Sequence, residues 1–183
     1  MFEEGGVAVL IVVTGGAGSG KSEFAESLIT ASGNGTLCYL ATMQVWDEEC
    51  RRRVERHRQM RAGKGFVTVE CPLDLAAAAE QVPQGAAALL EDLTNLASNE
   101  WFGGVGAENM ERHVLEGLER VCGRSALTVV VANELFSDGI EYDAETARFL
   151  EAQGRLNRAV CARADQVYEV VCGIPVCWKG EKK

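Results

Sequence analysis

The stretch VAVLIVVTGGAGSGKS, residues 7–22, decides the fold of this chain. Residues 7–13 form a continuous apolar run in which most side chains are β-branched, and such a run predicts a strand buried on both faces. A glycine-rich segment, residues 15–22, comes directly after it, and EFAESLITAS, residues 23–32, has the composition of a helix. The sequence therefore predicts a strand, a tight loop and a helix in direct succession.

The loop fits the pattern G-x-x-x-x-G-K-[ST], with Gly15, Gly20, Lys21 and Ser22 at the fixed positions. Glycines allow successive backbone N–H groups to turn toward a phosphate, and the helix N-terminus adds the positive end of its dipole. Lys21 is expected to reach the outer phosphates, and Ser22 is expected to hold Mg²⁺. The pattern predicts a site for a nucleoside triphosphate.

The remaining chain alternates between strand and helix patterns. Strands are predicted at residues 36–42, 66–70, 86–93 and 126–134, with strand-like residues again at 166–178. Helices are predicted within residues 47–61, 107–121 and 142–164, the last with Asp143 as its cap. This alternation predicts an α/β fold with three layers and a mostly parallel sheet, formed as a single domain over residues 1–183.

Composition narrows the class of partner and the location. The formal net charge is -9 and the pI is about 4.8, which argues against nucleic acid and anionic membranes as partners. The longest apolar run is too short to span a bilayer, and two glutamates precede it, so we expect no signal peptide and a cytoplasmic protein. Seven scattered cysteines without C-x-x-C spacing predict buried, reduced thiols.

Two acidic residues, Glu91 and Asp92, close the apolar run of residues 86–93. A carboxylate at the end of a buried strand beside the phosphate loop orders the Mg²⁺ shell that bridges the outer phosphates. We therefore expect this strand to neighbour the first one, and one of the two acids to assist Ser22.

Positive charge is concentrated in RRRVERHRQMR, residues 51–61, which holds six of the eighteen Lys and Arg residues. On a helix Arg53, His57 and Arg61 share one face, and the nearby guanidinium groups favour a neutral, nucleophilic imidazole at His57. The alternative is a solvated helix whose arginines pair with its own glutamates, and charge alone favours that alternative. His113 has ordinary polar neighbours and is expected to be structural or exposed.

Together these segments resemble the bifunctional adenosylcobinamide kinase/adenosylcobinamide-phosphate guanylyltransferase family of cobalamin biosynthesis. The phosphate loop alone is generic, whereas the spacing of the Arg and His residues behind it is specific. The resemblance covers nearly the whole chain, through VTGGAGSGKSEFAE, YLATMQVWDEECRRRVERHRQMR, TVECPLDL, LLEDLTNLASN, NELFSDGI, RFLEAQGRLNRAV and ADQVYEVVCGIP.

The resemblance implies a role for each matching residue. His57 falls on the histidine that becomes guanylylated, and Lys21 supports phosphoryl transfer. Ser22 together with Glu91 or Asp92 would hold Mg²⁺. The residues implied to contact the guanine nucleotide are Gly15, Gly16, Ala17, Gly18, Ser19, Gly20, Lys21, Ser22, Ala41, Thr42, Met43, Arg58, Gln59, Met60, Arg61, Glu70 and Glu91.

The resemblance also implies the reaction and the assembly. The terminal phosphoryl group of GTP or ATP would pass to adenosylcobinamide, and His57 would then take GMP from GTP and deliver it, giving adenosylcobinamide-GDP. Members of the family have a RecA-like P-loop NTPase fold and form homotrimers. The expected partners are therefore GTP or ATP, a corrinoid substrate and further copies of the chain.

Three segments depart from the usual family pattern. Gly18 stands where the family usually has Arg, and Asp92 stands where it usually has Cys. Residues 133–142 are one residue longer than the family motif and lack its Val-Pro. The nucleotide assignment does not depend on these positions.

Two other functions fit parts of the sequence. A monofunctional small-molecule kinase would use the phosphate loop, with His57 as a bystander. A guanine-nucleotide switch would need an N-K-x-D element to read the base, and this chain contains none.

Overall fold

The computed structural model describes residues 8–44, 48, 51–52, 54–55, 63–135 and 142–180. Within them, seven strands and five helices have defined bounds, and residues 48, 51–52 and 54–55 are also helical. The strands are β1 (Val9–Gly15), β2 (Leu37–Ala41), β3 (Phe66–Glu70), β4 (Ala86–Glu91), β5 (Ser125–Asn133), β6 (Gln166–Val171) and β7 (Ile174–Lys179). The helices are α1 (Lys21–Ala31), α2 (Leu75–Ala79), α3 (Leu93–Phe102), α4 (Met110–Arg124) and α5 (Ala144–Arg163).

The strands form one sheet in the order β3-β2-β4-β5-β1-β6-β7. Every neighbouring pair is parallel except β6 and β7, so the predicted mostly parallel sheet is confirmed. The expectation that the acid-bearing strand lies beside β1 is wrong, because β5 separates β4 from β1. Strand order depends on pairing between distant segments, which the pattern of a single strand does not reveal.

Strand β1 is buried on both faces because of its composition. Leu10 and Val12 belong to one hydrophobic cluster, whereas Ile11 and Val13 belong to the other. Successive side chains of a strand point to opposite faces, so a continuous apolar run is stable only where both faces are covered. The predicted burial of this strand on both faces is therefore confirmed.

Helices cover the two faces of the sheet unequally. Apolar residues of α2, α3, α4 and α5 pack together on one face, where Leu96, Leu118 and Leu156 are fully or almost fully buried. On the other face, Ala25 and Ile29 of α1 pack against the sheet. The result is the predicted three-layer arrangement, with α1 carrying the phosphate loop on its own side.

The predicted strand of residues 86–93 is two residues too long. Strand β4 ends at Glu91, and Asp92 is the N-cap of α3, whose side chain accepts a hydrogen bond of 2.6 Å from the Asn95 amide. Residues 91–93 continue an apolar-acidic pattern that does not distinguish a strand end from a helix cap.

Neither α2 nor α3 was predicted, and α4 begins and ends about three residues later than the predicted helix of residues 107–121.

The predicted cap of the last helix is confirmed. Asp143 Oδ1 accepts hydrogen bonds from the amides of Glu145 and Thr146, at 3.0 and 2.9 Å. These bonds lower the pKa of the Asp143 carboxyl from its usual value.

Strands β6 and β7 form an antiparallel hairpin through Cys172 and Gly173. Both residues have positive φ, as a two-residue type I′ turn requires.

The predicted helix of residues 47–61 is described only in part. Glu48, Arg51, Arg52, Val54 and Glu55 are helical, which agrees with the prediction. Arg51 Nε lies 3.7 Å from Glu48 Oε2, an exposed ion pair of the kind that the solvated-helix alternative predicts.

His113 has a specific acidic neighbour that its local sequence did not indicate. Its Nδ1 lies 3.2 Å from Oε1 of Glu100, a buried residue of α3 that also accepts a 2.7 Å hydrogen bond from the Asp74 amide. The contact joins α3, α4 and the start of α2, so the structural reading of His113 fits the fold. The sequence around His113 does not reveal this contact, because Glu100 lies on a different helix.

The described cysteines are free thiols, as predicted, but only Cys38 and Cys71 are buried. Cys122, Cys161 and Cys177 are half-buried and Cys172 is exposed, so the expectation of uniformly buried thiols is wrong. Burial raises the pKa of the Cys38 thiol to about 11 and that of Cys71 to about 12.

Among the described helices, none has the length and apolarity needed to cross a membrane.

The contact between α2 and α4 leads to a prediction about Gly117. A Cβ there would lie 2.7 Å from Leu75 Cβ and 2.9 Å from the Ala76 nitrogen, whereas a Cβ at Gly123 of the same helix would meet nothing within 4 Å. We expect Gly117→Ala to lower the free energy of unfolding by about 1–3 kcal/mol. Gly123→Ala should raise it by about 0.5–1 kcal/mol. Urea unfolding of both variants measures this, and an equal effect would contradict the packing.

The thiols lead to a second prediction, on alkylation. Iodoacetamide at about pH 8 should modify Cys172 in the folded protein and leave Cys38 and Cys71 unmodified, because these two thiols are buried and stay protonated. Mass spectrometry of the peptides gives the extent at each site, and protein unfolded in guanidinium is the control in which all thiols react. Rapid modification of Cys38 or Cys71 in the native protein would contradict their burial.

Candidate active site

The phosphate loop connects the end of β1 to the start of α1 as predicted. Gly15, Gly18 and Gly20 have φ values of 154°, 69° and 90°, which are backbone angles that favour glycine. Residues 16–18 are exposed. The loop therefore turns its backbone outward at the carboxyl end of the sheet, where α/β proteins of this type bind ligands.

Residues that follow β5 and β6 form hydrogen bonds to the backbone of the phosphate loop. The Glu134 amide donates to the Gly15 carbonyl at 3.2 Å, and the Gly173 amide donates to the Ser19 carbonyl at 2.8 Å. A Cβ on Gly15 would lie 2.6 Å from the Val170 carbonyl oxygen. The loop therefore rests directly on the backbone of β6 and of the β6–β7 turn, with no room for a side chain at Gly15.

Lys21 and the start of α1 supply positive charge at the loop. Lys21 is buried, and its Nζ donates to the Gly16 carbonyl at 3.1 Å, which holds the ammonium group across the loop. Gly20 is the N-cap of α1 and forms no side-chain capping bond. The first amides of α1 and its dipole thus add to the charge of Lys21, and the combination favours an anion.

Ser22 and Glu91 meet although β4 is not adjacent to β1. The Ser22 Oγ donates a 2.5 Å hydrogen bond to Glu91 Oε1. Register places Ala41 of β2 between Glu70 of β3 and Glu91 of β4, and Ala41 packs on the α1 face of the sheet. In-register neighbours share a face, so Glu91 points toward α1, and the structure brings the predicted residues Ser22, Ala41, Glu70 and Glu91 to one region.

Asp92 faces a different set of partners. Its Oδ1 accepts from the Asn95 amide, and its Oδ2 accepts from the Nδ2 atoms of Asn95 and Asn133, at 3.3 and 3.1 Å. Burial raises the pKa of the Asp92 carboxyl, while the bonds from Asn95 and Asn133 and the charge of Lys21 oppose that shift. Of the two acids that the sequence offered, Glu91 is the one bonded to Ser22.

Thr42 is buried, unlike most of the predicted nucleotide contacts. Its side chain has no exposed surface, and its hydroxyl bonds to the backbone of Glu91 and Asp92. Met43, the next residue, is half-buried. The contact implied for Thr42 by resemblance is therefore not one that its hydroxyl can make in this arrangement.

The ligand set fits Mg²⁺ bound together with phosphates. A serine hydroxyl and a carboxylate are hard oxygen ligands, and Mg²⁺ usually takes one or two such groups from the protein and the rest from phosphates and water. Among the described residues there is no cluster of three or more His, Cys, Asp or Glu side chains that could hold a metal by themselves. Ser22 and Glu91 supply two hard oxygen ligands, which suits a metal that completes its shell with phosphates and water.

Several predicted site residues lie outside the described part of the chain. These are His57, Arg58, Gln59, Met60 and Arg61. Their predicted roles stay predictions.

Asn133 is a site residue that the sequence analysis did not select. It is in register with Gly15 and donates to Asp92, so it lies between the phosphate loop and the acidic strand end. Its position as the last residue of an apolar strand is the signal that could have identified it. In this fold, polar residues at the carboxyl ends of parallel strands converge.

Comparisons with known proteins bear on this site. A family model described as cobinamide kinase / cobinamide phosphate guanyltransferase matches residues 11–178. A Salmonella typhimurium protein named bifunctional adenosylcobalamin biosynthesis protein CobU is 36% identical, with 92% of this chain and 98% of the relative covered. The chain belongs to this family. A protein with the same name from Escherichia coli is 35% identical over 92% and 98% of the two chains.

A third relative supports the family assignment, and two solved structures show the fold. The Pseudomonas aeruginosa bifunctional adenosylcobalamin biosynthesis protein CobP is 33% identical over 93% of this chain and 97% of its own. The ATPase of a bacterial type III secretion system matches with TM-score 0.58 at 12% identity, over 93% of this chain and 57% of that one. FlaH of Methanocaldococcus jannaschii matches with TM-score 0.51 at 10% identity, over 95% and 79%. These structures show the RecA-like P-loop fold alone.

The contact of Gly15 with β6 leads to a prediction for the phosphate loop. Gly15→Ala should lower the free energy of unfolding by about 1–3 kcal/mol, because its Cβ would approach the Val170 carbonyl and its φ is unfavourable for alanine. Gly16→Ala is the matched control, since a Cβ there meets nothing within 4 Å. Thermal unfolding without nucleotide compares the two. Equal stability of both variants would show that β6 does not support the loop as described.

Proposed function

We propose that this protein catalyses two successive reactions of cobalamin biosynthesis. The first is phosphorylation of adenosylcobinamide with GTP or ATP. The second is transfer of GMP from GTP to the product, giving adenosylcobinamide-GDP. The observation that carries the proposal is membership of the cobinamide kinase / cobinamide phosphate guanyltransferase family along residues 11–178. The high coverage of relatives named bifunctional supports both reactions in one chain.

In the first reaction the phosphate loop holds the triphosphate and positions its terminal phosphorus. The hydroxyl oxygen of adenosylcobinamide attacks that phosphorus, the hydroxyl proton passes to water, and the bond to the bridging oxygen breaks, releasing the nucleoside diphosphate. Lys21 and the first amides of α1 stabilise the charge on the phosphoryl oxygens. Ser22 and Glu91 would hold Mg²⁺, which would supply positive charge to offset the charge of the phosphates.

In the second reaction His57 acts as a nucleophile. A neutral imidazole nitrogen attacks the α-phosphorus of GTP, and pyrophosphate leaves. A phosphate oxygen of phosphorylated cobinamide then attacks the same phosphorus and displaces the imidazole. The support for this step is the sequence around His57, where arginines at helical spacing can pair with phosphate oxygens.

The remaining expectations are part of the same proposal. The residues that would contribute to the guanine nucleotide site, together with the phosphate loop, are Ala41, Met43, Arg58, Gln59, Met60, Arg61 and Glu70. We also propose a homotrimer and action in the cytoplasm. The phosphate loop can take either GTP or ATP as phosphoryl donor, because its backbone amides recognise phosphates and not bases.

Labelling with GTP that carries radioactive phosphorus in the α-position tests the transferase. With Mg²⁺ we expect label on the denatured protein that is stable to alkali and labile to acid, as a phosphorus–nitrogen bond is. His57→Ala should lose all of it. His113→Gln is the matched control, because His113 is the other of only two histidines, and this variant should keep the label.

Kinase activity is measured in the same samples as transfer of the γ-phosphoryl group to adenosylcobinamide. The His57→Ala variant should retain it within about twofold, because His57 has no role in that step. Kinase activity in a wild-type protein that never becomes labelled would instead identify a monofunctional kinase. Label that persists in His57→Ala would show that another residue is the nucleophile.

A further inference from the structure

Thr42 makes a dense set of hydrogen bonds to the end of β4. Its amide donates to the Glu91 carbonyl at 3.2 Å, and its Oγ1 lies 3.0 Å from the carbonyl oxygens of both Glu91 and Asp92. The same oxygen accepts a 2.7 Å bond from the Asp92 amide. A hydroxyl has one hydrogen to share and lone pairs to accept, so one side chain satisfies the polar backbone at this point.

Thr42 itself is held from the opposite side. Asn99 of α3 donates through Nδ2 to the Thr42 carbonyl and to the Pro72 carbonyl, both at 2.9 Å. The Cys71 amide donates to the Ala41 carbonyl at 2.8 Å. Because bonds on both sides restrain its backbone, Thr42 resists a shift of the end of β4.

The backbone that Thr42 holds carries the acid that contacts Ser22. Glu91 is the last residue of β4, where the strand ladder ends and no further strand pairing restrains the next peptide. The direction of its side chain depends on the orientation of this backbone. A shift of about 1 Å in the carboxylate would break the 2.5 Å contact with Ser22, because hydrogen bonds weaken steeply beyond their normal length.

We infer that Thr42 is a positioning residue for the metal site. Its hydroxyl fixes the backbone of Glu91 and Asp92 so that the Glu91 carboxylate faces Ser22 when Mg²⁺ binds with the nucleotide. The inference rests on the proposed nucleotide site and gives Thr42 a role other than direct contact with GTP. Groups that orient metal ligands in this way typically change metal affinity about 10–100-fold when they are removed.

Thr42→Val and Thr42→Ser separate positioning from simple packing. Valine keeps the shape of threonine and removes the hydroxyl, whereas serine keeps the hydroxyl and removes a methyl group. The wild type and both variants are titrated with Mg²⁺ at a fixed concentration of a GTP analogue with a methylene group between the β- and γ-phosphorus atoms. The rise in unfolding temperature reports metal-dependent binding.

We expect Thr42→Val to raise the half-saturating Mg²⁺ concentration about tenfold and Thr42→Ser to leave it within about twofold. Binding of the analogue without Mg²⁺ should be the same in all three proteins. A Thr42→Val protein that unfolds at a lower temperature but binds Mg²⁺ like the wild type would overturn the inference, because its role would then be packing alone. Should Thr42→Val not fold, Thr42→Ala carries the same comparison.

This titration needs neither a corrinoid nor His57, so it is independent of the transfer reactions. A wild type that binds Mg²⁺ with the analogue but transfers nothing to adenosylcobinamide would overturn the proposed function and leave the role of Thr42 intact. A wild type without Mg²⁺-dependent binding would overturn the metal site and this inference together.

Discussion

The bond between Ser22 and Glu91 joins two segments that are 69 residues apart in the chain, and the arrangement of the site depends on it. Ser22 is on α1, which starts from β1, whereas Glu91 ends β4, with β5 between the two strands. The bond forms because α1 covers the sheet face toward which Glu91 points. A parallel sheet makes this possible, since all strand ends that carry polar residues then lie at one edge.

A buried polar network supports this edge from beneath. Asp92 caps α3 and accepts from Asn133, and the Asn133 amide donates to the hydroxyl of Thr94. Such a network is stable only when its members find partners, because a buried polar group without one costs roughly 1–3 kcal/mol. The strand ends are therefore held in place before a ligand binds, and a preorganised site loses less free energy to reorganisation when it binds one.

Two departures from the usual family pattern have local structural explanations. Gly18 has φ of 69° and lies in open space, so the loop here has a conformation that suits glycine. Asp92 uses its carboxylate to cap α3 and to bond Asn133, two contacts that require acceptor oxygens. Both explanations concern the backbone at the nucleotide site. They agree with a site that keeps its arrangement while individual side chains change.

The sequence by itself determined the strand, loop and helix of residues 9–31, the parallel α/β class and the cap at Asp143, because each depends on neighbours close in the chain. The tertiary structure alone decided the strand order, the choice of Glu91 over Asp92 as the partner of Ser22, and the buried position of Thr42. Those features depend on register between strands far apart in sequence. Local periodicity carries no information about such pairings, and the free energy that fixes them comes from packing and hydrogen bonds that exist only in the folded protein.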